Sequence, residues 1–313
     1  MKRFLKIVIY VVLLLALLAG SSYVFRPSSL EGVRHVHKND KSYTGISQEK
    51  ENTLDIILIG DSECVTSFSP MQFYNDTGAT SYVCGQSAQK LVETYYMLKH
   101  ALRTQNPKIV MFETNVYTKE KSTKTQLKTL LTATAAYKIP LLRYHDLWKG
   151  FFGVYKDDTG WYKGFNFRLN ITPYTGGDYM QPTEETEEIS GIWKYYFDKI
   201  VKLCDKHNAQ LILYTMPSPK NFNMAKYNAV AKAAEEYQLP YLDGNTHLAD
   251  IGIDWNTDTM DGGDHLNYYG TQKMTAWLTS YLKANYQLTD HRQDSAYEDW
   301  NNLLQKYEQE KPQ

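Results

Sequence analysis

Ser62, Asp261, Asp264 and His265 are the residue types from which a nucleophile, a base and an orienting carboxylate are assembled. A serine hydroxyl is a weak nucleophile near neutral pH and needs a base within hydrogen-bond reach. An imidazole, with an unperturbed pKa of about 6.5, can take that proton and return it. A carboxylate on the other ring nitrogen sets the tautomer and steadies the imidazolium. Ser62 ends the run Leu54-Asp55-Ile56-Ile57-Leu58-Ile59-Gly60-Asp61-Ser62, and the other three share the loop Asp261-Gly262-Gly263-Asp264-His265-Leu266-Asn267. Gly-Asp-Ser alone also reads as a turn with a capping serine, and the distant Asp/His loop is what adds the chemical reading. Asp261 precedes His265 by four residues and can fold back under the ring. Asp264 adjoins the histidine, and neighbouring side chains tend to diverge. Asp261 is the expected orienting group, with Asp264 the alternative or a turn residue.

These groups must be positioned by buried strands. The apolar, β-branched run before Gly60 reads as a parallel strand, and open α/β sheets put their chemistry at the carboxyl ends of such strands. Further strands are expected at Ser81–Gly85, Lys108–Glu113, Gln210–Thr215, where Pro217 and Pro219 stop the run, and Tyr241–Leu242. Helices are expected over 89–105, where Leu91, Tyr95, Leu98 and Leu102 share a face, around Ile192–Leu203, over 224–237 and over 271–284. Strand and helix in alternation predict an α/β fold of three layers around a parallel sheet. The alternation fails over 118–190. That insertion is rich in Trp, Tyr, Phe and Gly, and long irregular segments in compact domains are usually lids or binding elements.

The N-terminus is basic, Met1-Lys2-Arg3-Phe4-Leu5-Lys6, and an apolar run follows to about Phe25. Its length is near the ~20 residues that span a bilayer, and it is apolar on all sides. Residues 1–25 therefore read as an uncleaved single-pass anchor or a cleaved signal peptide, with the anchor preferred. Basic residues ahead of the run place the N-terminus in the cytoplasm and the rest outside. Residues 26–53 read as a polar stalk, 54–290 as the domain and 291–313 as a peripheral polar tail. A net charge of −1 provides no field for nucleic acid. Three cysteines, Cys64, Cys84 and Cys204, give no metal spacing, and Cys64 and Cys84 could pair or remain two buried thiols. No phosphate loop or metal cluster is visible, and no cofactor is expected. Twenty-six tyrosines and 6 tryptophans suit sugar faces as well as ordinary packing.

Gly60-Asp61-Ser62, Gly85, Asn115 and His265 before a closing helix together resemble the SGNH (GDSL-type) hydrolase superfamily over about 54–117 and 194–286. The resemblance implies a flavodoxin-like three-layer fold and catalytic roles at Ser62 and His265. It also implies an oxyanion hole from Ser62 N–H, Gly85 N–H and the Asn115 amide, each such donor typically worth about 2.7–4 kcal/mol of barrier. With the anchor and the insertion, the chain looks most like the bacterial envelope branch that accompanies membrane-bound O-acyltransferases in teichoic-acid D-alanylation and polysaccharide O-acetylation. Two departures stand out. Asn115 sits in Glu113-Thr114-Asn115 rather than Gly-x-Asn-Asp, and the usual carboxylate position, three before the histidine, is Gly262.

The expected activity is serine acyl transfer on a cell-envelope glycan, as an O-acyltransferase or esterase acting through an acyl-serine. The alternatives are an idle SGNH shell that binds glycan or assists an acyltransferase, and an internal thioesterase or lipase, which the export signal disfavours. Arg143, His145 and Trp148 in the insertion are candidate contacts for an anionic polymer or acyl donor, with an Arg143 or His145 pair to Asp146 as the structural alternative. Glu63 is expected to complement a helix dipole. The remaining histidines read as surface or packing residues.

Overall fold

The computed structural model describes residues 2–24, 41–118, 122–144 and 161–312. Five parallel strands form the central sheet: β1 (Ile56–Gly60), β2 (Ser81–Gly85), β3 (Ile109–Glu113), β6 (Gln210–Thr215) and β7 (Tyr241–Asp243). A two-stranded antiparallel hairpin, β4 (Trp161–Tyr162) and β5 (Phe165–Asn166), lies outside it. The sheet order is β2-β1-β3-β6-β7, the flavodoxin-like order. The chain leaves β1 toward one edge and β3 continues toward the other, so the order reverses beside β1. Ligands in open α/β sheets bind in the crevice at that switch point, and Ser62 follows β1 directly.

Successive strand residues serve two cores, as the period of two requires. Ile57, Ile59, Val110, Phe112, Leu211 and Leu213 face one layer with helices Leu91–Ala101, Gly191–Lys206 and Met224–Glu236. Ile56, Leu58, Ile109, Met111, Ile212 and Tyr214 face the other with helices Ser62–Ser67, Pro70–Thr77 and Tyr268–Asn285. Both faces are covered, which is why the strands read as unbroken apolar runs rather than alternating ones. The helices begin on polar caps: Ser190 accepts from Trp193 N–H, Asn223 from Lys226 N–H and Asn267 from Gly270 N–H.

Three sequence expectations change. The stalk does not extend to residue 53: Lys41–Ile46 is a helix, Ile46 is fully buried in the core, and the ring of His100 stacks on Tyr43 at 3.6 Å. The tail is not peripheral, because Glu298–Glu310 is a helix whose Trp300 and Tyr307 are 1% exposed. Those rings pack on Tyr74 and on Tyr162 of β4, so polar composition concealed an amphipathic stripe. The insertion is not wholly irregular either. It contains helices Thr123–Lys138 and Pro140–Tyr144, and the hairpin residues Tyr162 and Phe165 are buried. All three cysteines are free and buried.

Helix Lys2–Val24 is long and apolar enough to cross a membrane. Its apolar side chains are exposed rather than packed on the domain.

Candidate active site

Gly60 and Asp61 turn the chain out of β1 into helix Ser62–Ser67. Asp61 caps that helix, its Oδ1 accepting from Glu63 N–H at 3.0 Å. Ser62 is the first helical residue, so its own N–H has no carbonyl one turn earlier to bond. The packing around this turn is close. A Cβ on Gly85, at the end of β2, would lie 2.5 Å from the Asp61 carbonyl oxygen and 2.7 Å from Val65. A Cβ on Gly60 would lie 2.7 Å from the Cβ atoms of both Cys64 and Glu113. Only glycine lets the ends of β1, β2 and β3 approach this nearly. Burial pushes the Cys64 thiol well above its usual range, which leaves it protonated and unreactive beneath Ser62.

The Ser62 hydroxyl lies 2.7 Å from His265 Nε2, and His265 Nδ1 lies 2.7 Å from Asp261 Oδ2. A carboxylate can only accept here, so the proton resides on Nδ1 and Nε2 is open to the serine hydroxyl. Asp261 Oδ1 also accepts from the backbone N–H of His265 at 2.8 Å and of Asp264 at 3.2 Å. The four-residue offset works because Gly262 and Gly263 adopt positive φ, +74° and +94°, and curl the loop. Gly262 occupies the usual carboxylate position because the backbone there takes a conformation disfavoured for aspartate. Asp264 Oδ1 is 3.6 Å from Nδ1, beyond hydrogen-bond distance, and instead accepts from Asn221 Nδ2.

Asn115 begins helix Asn115–Thr118 after β3 and is fully buried. Its Nδ2 donates to Asp61 Oδ2 at 3.1 Å and its backbone N–H to Glu113 Oε2 at 3.0 Å. The amide therefore belongs to the Ser62 turn, with one of its two hydrogens engaged. Gly85, Asn115 and His265 all reach the strand ends that carry Ser62. Arg143 does not join them in the described contacts: its guanidinium sits 4.1 Å from the ring centres of Tyr43 and of Tyr137, a structural stack. His145 and Trp148 lie outside the described residues, as do His35, His37 and Asp146.

The loop after β6, Met216 to Phe222, supplies residues that the sequence did not single out. Asn221 Nδ2 bonds Glu63 Oε1 at 2.7 Å as well as Asp264, and so joins the residue after the serine to the residue before the histidine. Ser218 Oγ donates to the Asp264 carbonyl at 2.9 Å. Lys220 Nζ bonds the Asp261 carbonyl. Asn245, after β7, accepts from Ser218 N–H at 2.9 Å and donates to Asp243, whose carboxyl pKa is raised by burial. Glu63 stands in the first turn of helix Ser62–Ser67, where a carboxylate complements the dipole, and is 1% exposed with its carboxylate bonded to Asn221. The available signal was position: this polar loop follows a buried parallel strand, as Ser62 does.

The insertion borders the same loop. Thr172 O accepts from Gly262 N–H at 2.8 Å, and Tyr174 N–H donates to Trp255 O at 3.1 Å. Gly263 lies against the Tyr174 ring, which meets Tyr179 and Trp255 edge-on at 6.2 and 5.9 Å between centres. All three rings are partly exposed. Side-chain ligand atoms of Asp261, Asp264 and His265 lie within 4.8 Å of one another. Both imidazole nitrogens are already bonded, to Asp261 and Ser62, so this arrangement offers a metal no histidine lone pair.

No family model matches the sequence, and no curated protein matches it either. Fourteen solved chains match in structure. One, a Bacteroides fragilis NCTC 9343 protein described as a candidate acylhydrolase, aligns at 14% identity with a TM-score of 0.40, over 80% of this chain and 98% of that one.

Proposed function

We propose that this protein is a serine acyl-transfer enzyme of the SGNH type, acting through an acyl-serine on a glycan of the cell envelope. The observation that carries the reading is the unbroken chain from Ser62 Oγ through His265 to Asp261, with 2.7 Å at each link. In the first step Ser62 Oγ attacks the acyl carbonyl carbon while His265 Nε2 takes the hydroxyl proton. The carbonyl electron pair moves to oxygen, and Asp261 stabilises the imidazolium. Collapse breaks the bond to the leaving group, which takes the proton from Nε2. A sugar hydroxyl, or water, then repeats the cycle in reverse and frees the serine. Oxyanion donors are assigned to Ser62 N–H, Gly85 N–H and the second Asn115 amide hydrogen.

The glycan reading is supported by the Tyr174, Tyr179 and Trp255 rings beside the His265 loop, since aromatic faces suit sugar rings. Helix Lys2–Val24 supports anchoring at a membrane and therefore transfer from a membrane-bound O-acyltransferase to a teichoic-acid-like or other envelope polysaccharide. In this reading the domain is extracytoplasmic, and neither cofactor nor nucleic acid takes part. A fluorophosphonate should label the wild-type protein at Ser62, and Ser62→Ala should lose both the label and hydrolysis of a simple acetyl ester while remaining folded. Acyl-ester turnover by a folded Ser62→Ala protein would sink the proposal. Absence of labelling in the wild type would leave the idle, glycan-binding shell.

A further inference from the structure

Residues 122–144 contain Lys124, Lys128, Lys138 and Arg143 and no Asp or Glu. Helix Thr123–Lys138 turns Gln126 and Ala133 inward, and Leu130 packs against the core. Beside that inward stripe it presents Leu127 and Leu131, one turn apart and 51% and 64% exposed. The following segment adds Ile139 at 37% and Leu142 at 47%. Four large apolar side chains on one short, purely cationic stretch form the pattern of a helix that lies in a membrane surface.

The position of this stretch identifies its partner. Leu141 N–H donates to Ser22 Oγ at 3.4 Å, two residues before the end of helix Lys2–Val24. Ser22 is nearly covered by that contact, whereas the apolar residues ahead of it are bare. Ile139 and Leu142 thus flank the point where the N-terminal helix meets the domain, and Leu127 and Leu131 lie on the helix packed against that segment. We propose that Thr123–Lys138 and Pro140–Tyr144 rest on the membrane that helix Lys2–Val24 crosses. Leu127, Leu131, Ile139 and Leu142 enter the boundary between headgroups and acyl chains. Lys124, Lys128 and Lys138 meet anionic headgroups, their stems lying along the apolar layer. Two attachments, the spanning helix and this seat, would fix the tilt of the domain. The proposal rests on helix Lys2–Val24 being membrane-spanning.

The test uses the full chain in vesicles of phosphatidylcholine and phosphatidylglycerol, with nitroxide labels on single introduced cysteines, the native ones being buried. Leu131→Cys and Leu142→Cys probe the seat. Leu14→Cys reports the spanning helix, and Ser280→Cys, exposed on the opposite helical layer, is the aqueous reference. The ratio of oxygen to nickel-chelate accessibility should be several-fold higher at 131 and 142 than at 280, and highest at 14. A lipid-immersed label at 14 with water-like ratios at 131 and 142 overturns the seat while leaving the anchor intact. A water-like label at 14 overturns the anchor reading and the seat with it. Shielding of 131 and 142 from both reagents would mean protein contact and also overturns the proposal. Lys124→Glu with Lys128→Glu should lower the ratio at 131 in these vesicles, and an unchanged ratio removes the charge argument.

Discussion

At the scale of residues, the question is which carboxylate serves His265. Asp261 holds Nδ1 at 2.7 Å while Asp264 stands at 3.6 Å, tied to Asn221. Asp261→Asn should therefore lower kcat steeply with little change in KM, because a mis-set tautomer harms the transition state; the precedent is a loss of ~10⁴. Asp264→Asn should cost far less, and steady-state kinetics of both variants decide. If the two magnitudes are reversed, the assignment is inverted. Asn221 is the second test. Removing its amide leaves Glu63 and Asp264 without their shared donor and releases Asp264 toward the imidazole. Hydrogen bonds to charged groups are worth about 1.5–3 kcal/mol, so Asn221→Ala should lower kcat/KM by about tenfold or more. An unchanged kcat/KM in a folded Asn221→Ala protein would remove Asn221 from the positioning of the site.

The elements show why some of this is legible in sequence and some is not. Ser62 and His265 can be read because each follows or precedes a strongly patterned element, the apolar run of β1 and the helix capped by Asn267. Spacing favours Asp261 over Asp264, and Asp261 is the carboxylate that stands at 2.7 Å. The β6 loop escapes notice because Pro217-Ser218-Pro219-Lys220-Asn221 has no histidine or strand-end Gly-Asp-Ser signature. Only the fold brings Asn221 between residues 63 and 264. Lys41–Ile46 is hidden because six residues carry too little periodicity, and its stability is tertiary. That helix depends on His100, whose Nε2 lies 2.6 Å from Ser47 Oγ and 3.1 Å from Tyr43 O. Burial lowers its pKa from 6.5 to about 4. The unfolded chain then binds the proton first as pH falls. The contribution is complete above about 6.5 and is lost as pH drops toward about 4, on the order of 3 kcal/mol in all. The melting temperature should fall from pH 7 to pH 5, and His100→Phe should flatten that slope while lowering stability at pH 7. An equally steep slope in the variant would contradict the assignment.

Across the whole molecule, the polar C-terminal segment closes one layer of the fold. Trp300 rests on Tyr74, and Tyr307 meets Tyr162 and Phe167. Trp300→Ala should cost about 3–5 kcal/mol, the usual range for emptying a buried aromatic site. Thermal unfolding measures it, and a loss below about 1 kcal/mol would return this segment to the periphery. The bond between Ser62 and His265 spans 203 positions of chain. A polypeptide made from its N-terminus thus carries its serine long before it carries the base. Until Tyr268–Asn285 docks, with Thr271 Oγ donating to the Thr66 carbonyl, that hydroxyl has no partner to take its proton. If the proposed acyl transfer holds, a chain that stops short of His265 would be inert, and reactivity toward an acyl donor would arrive only once the His265 loop and the helix behind it are made and folded.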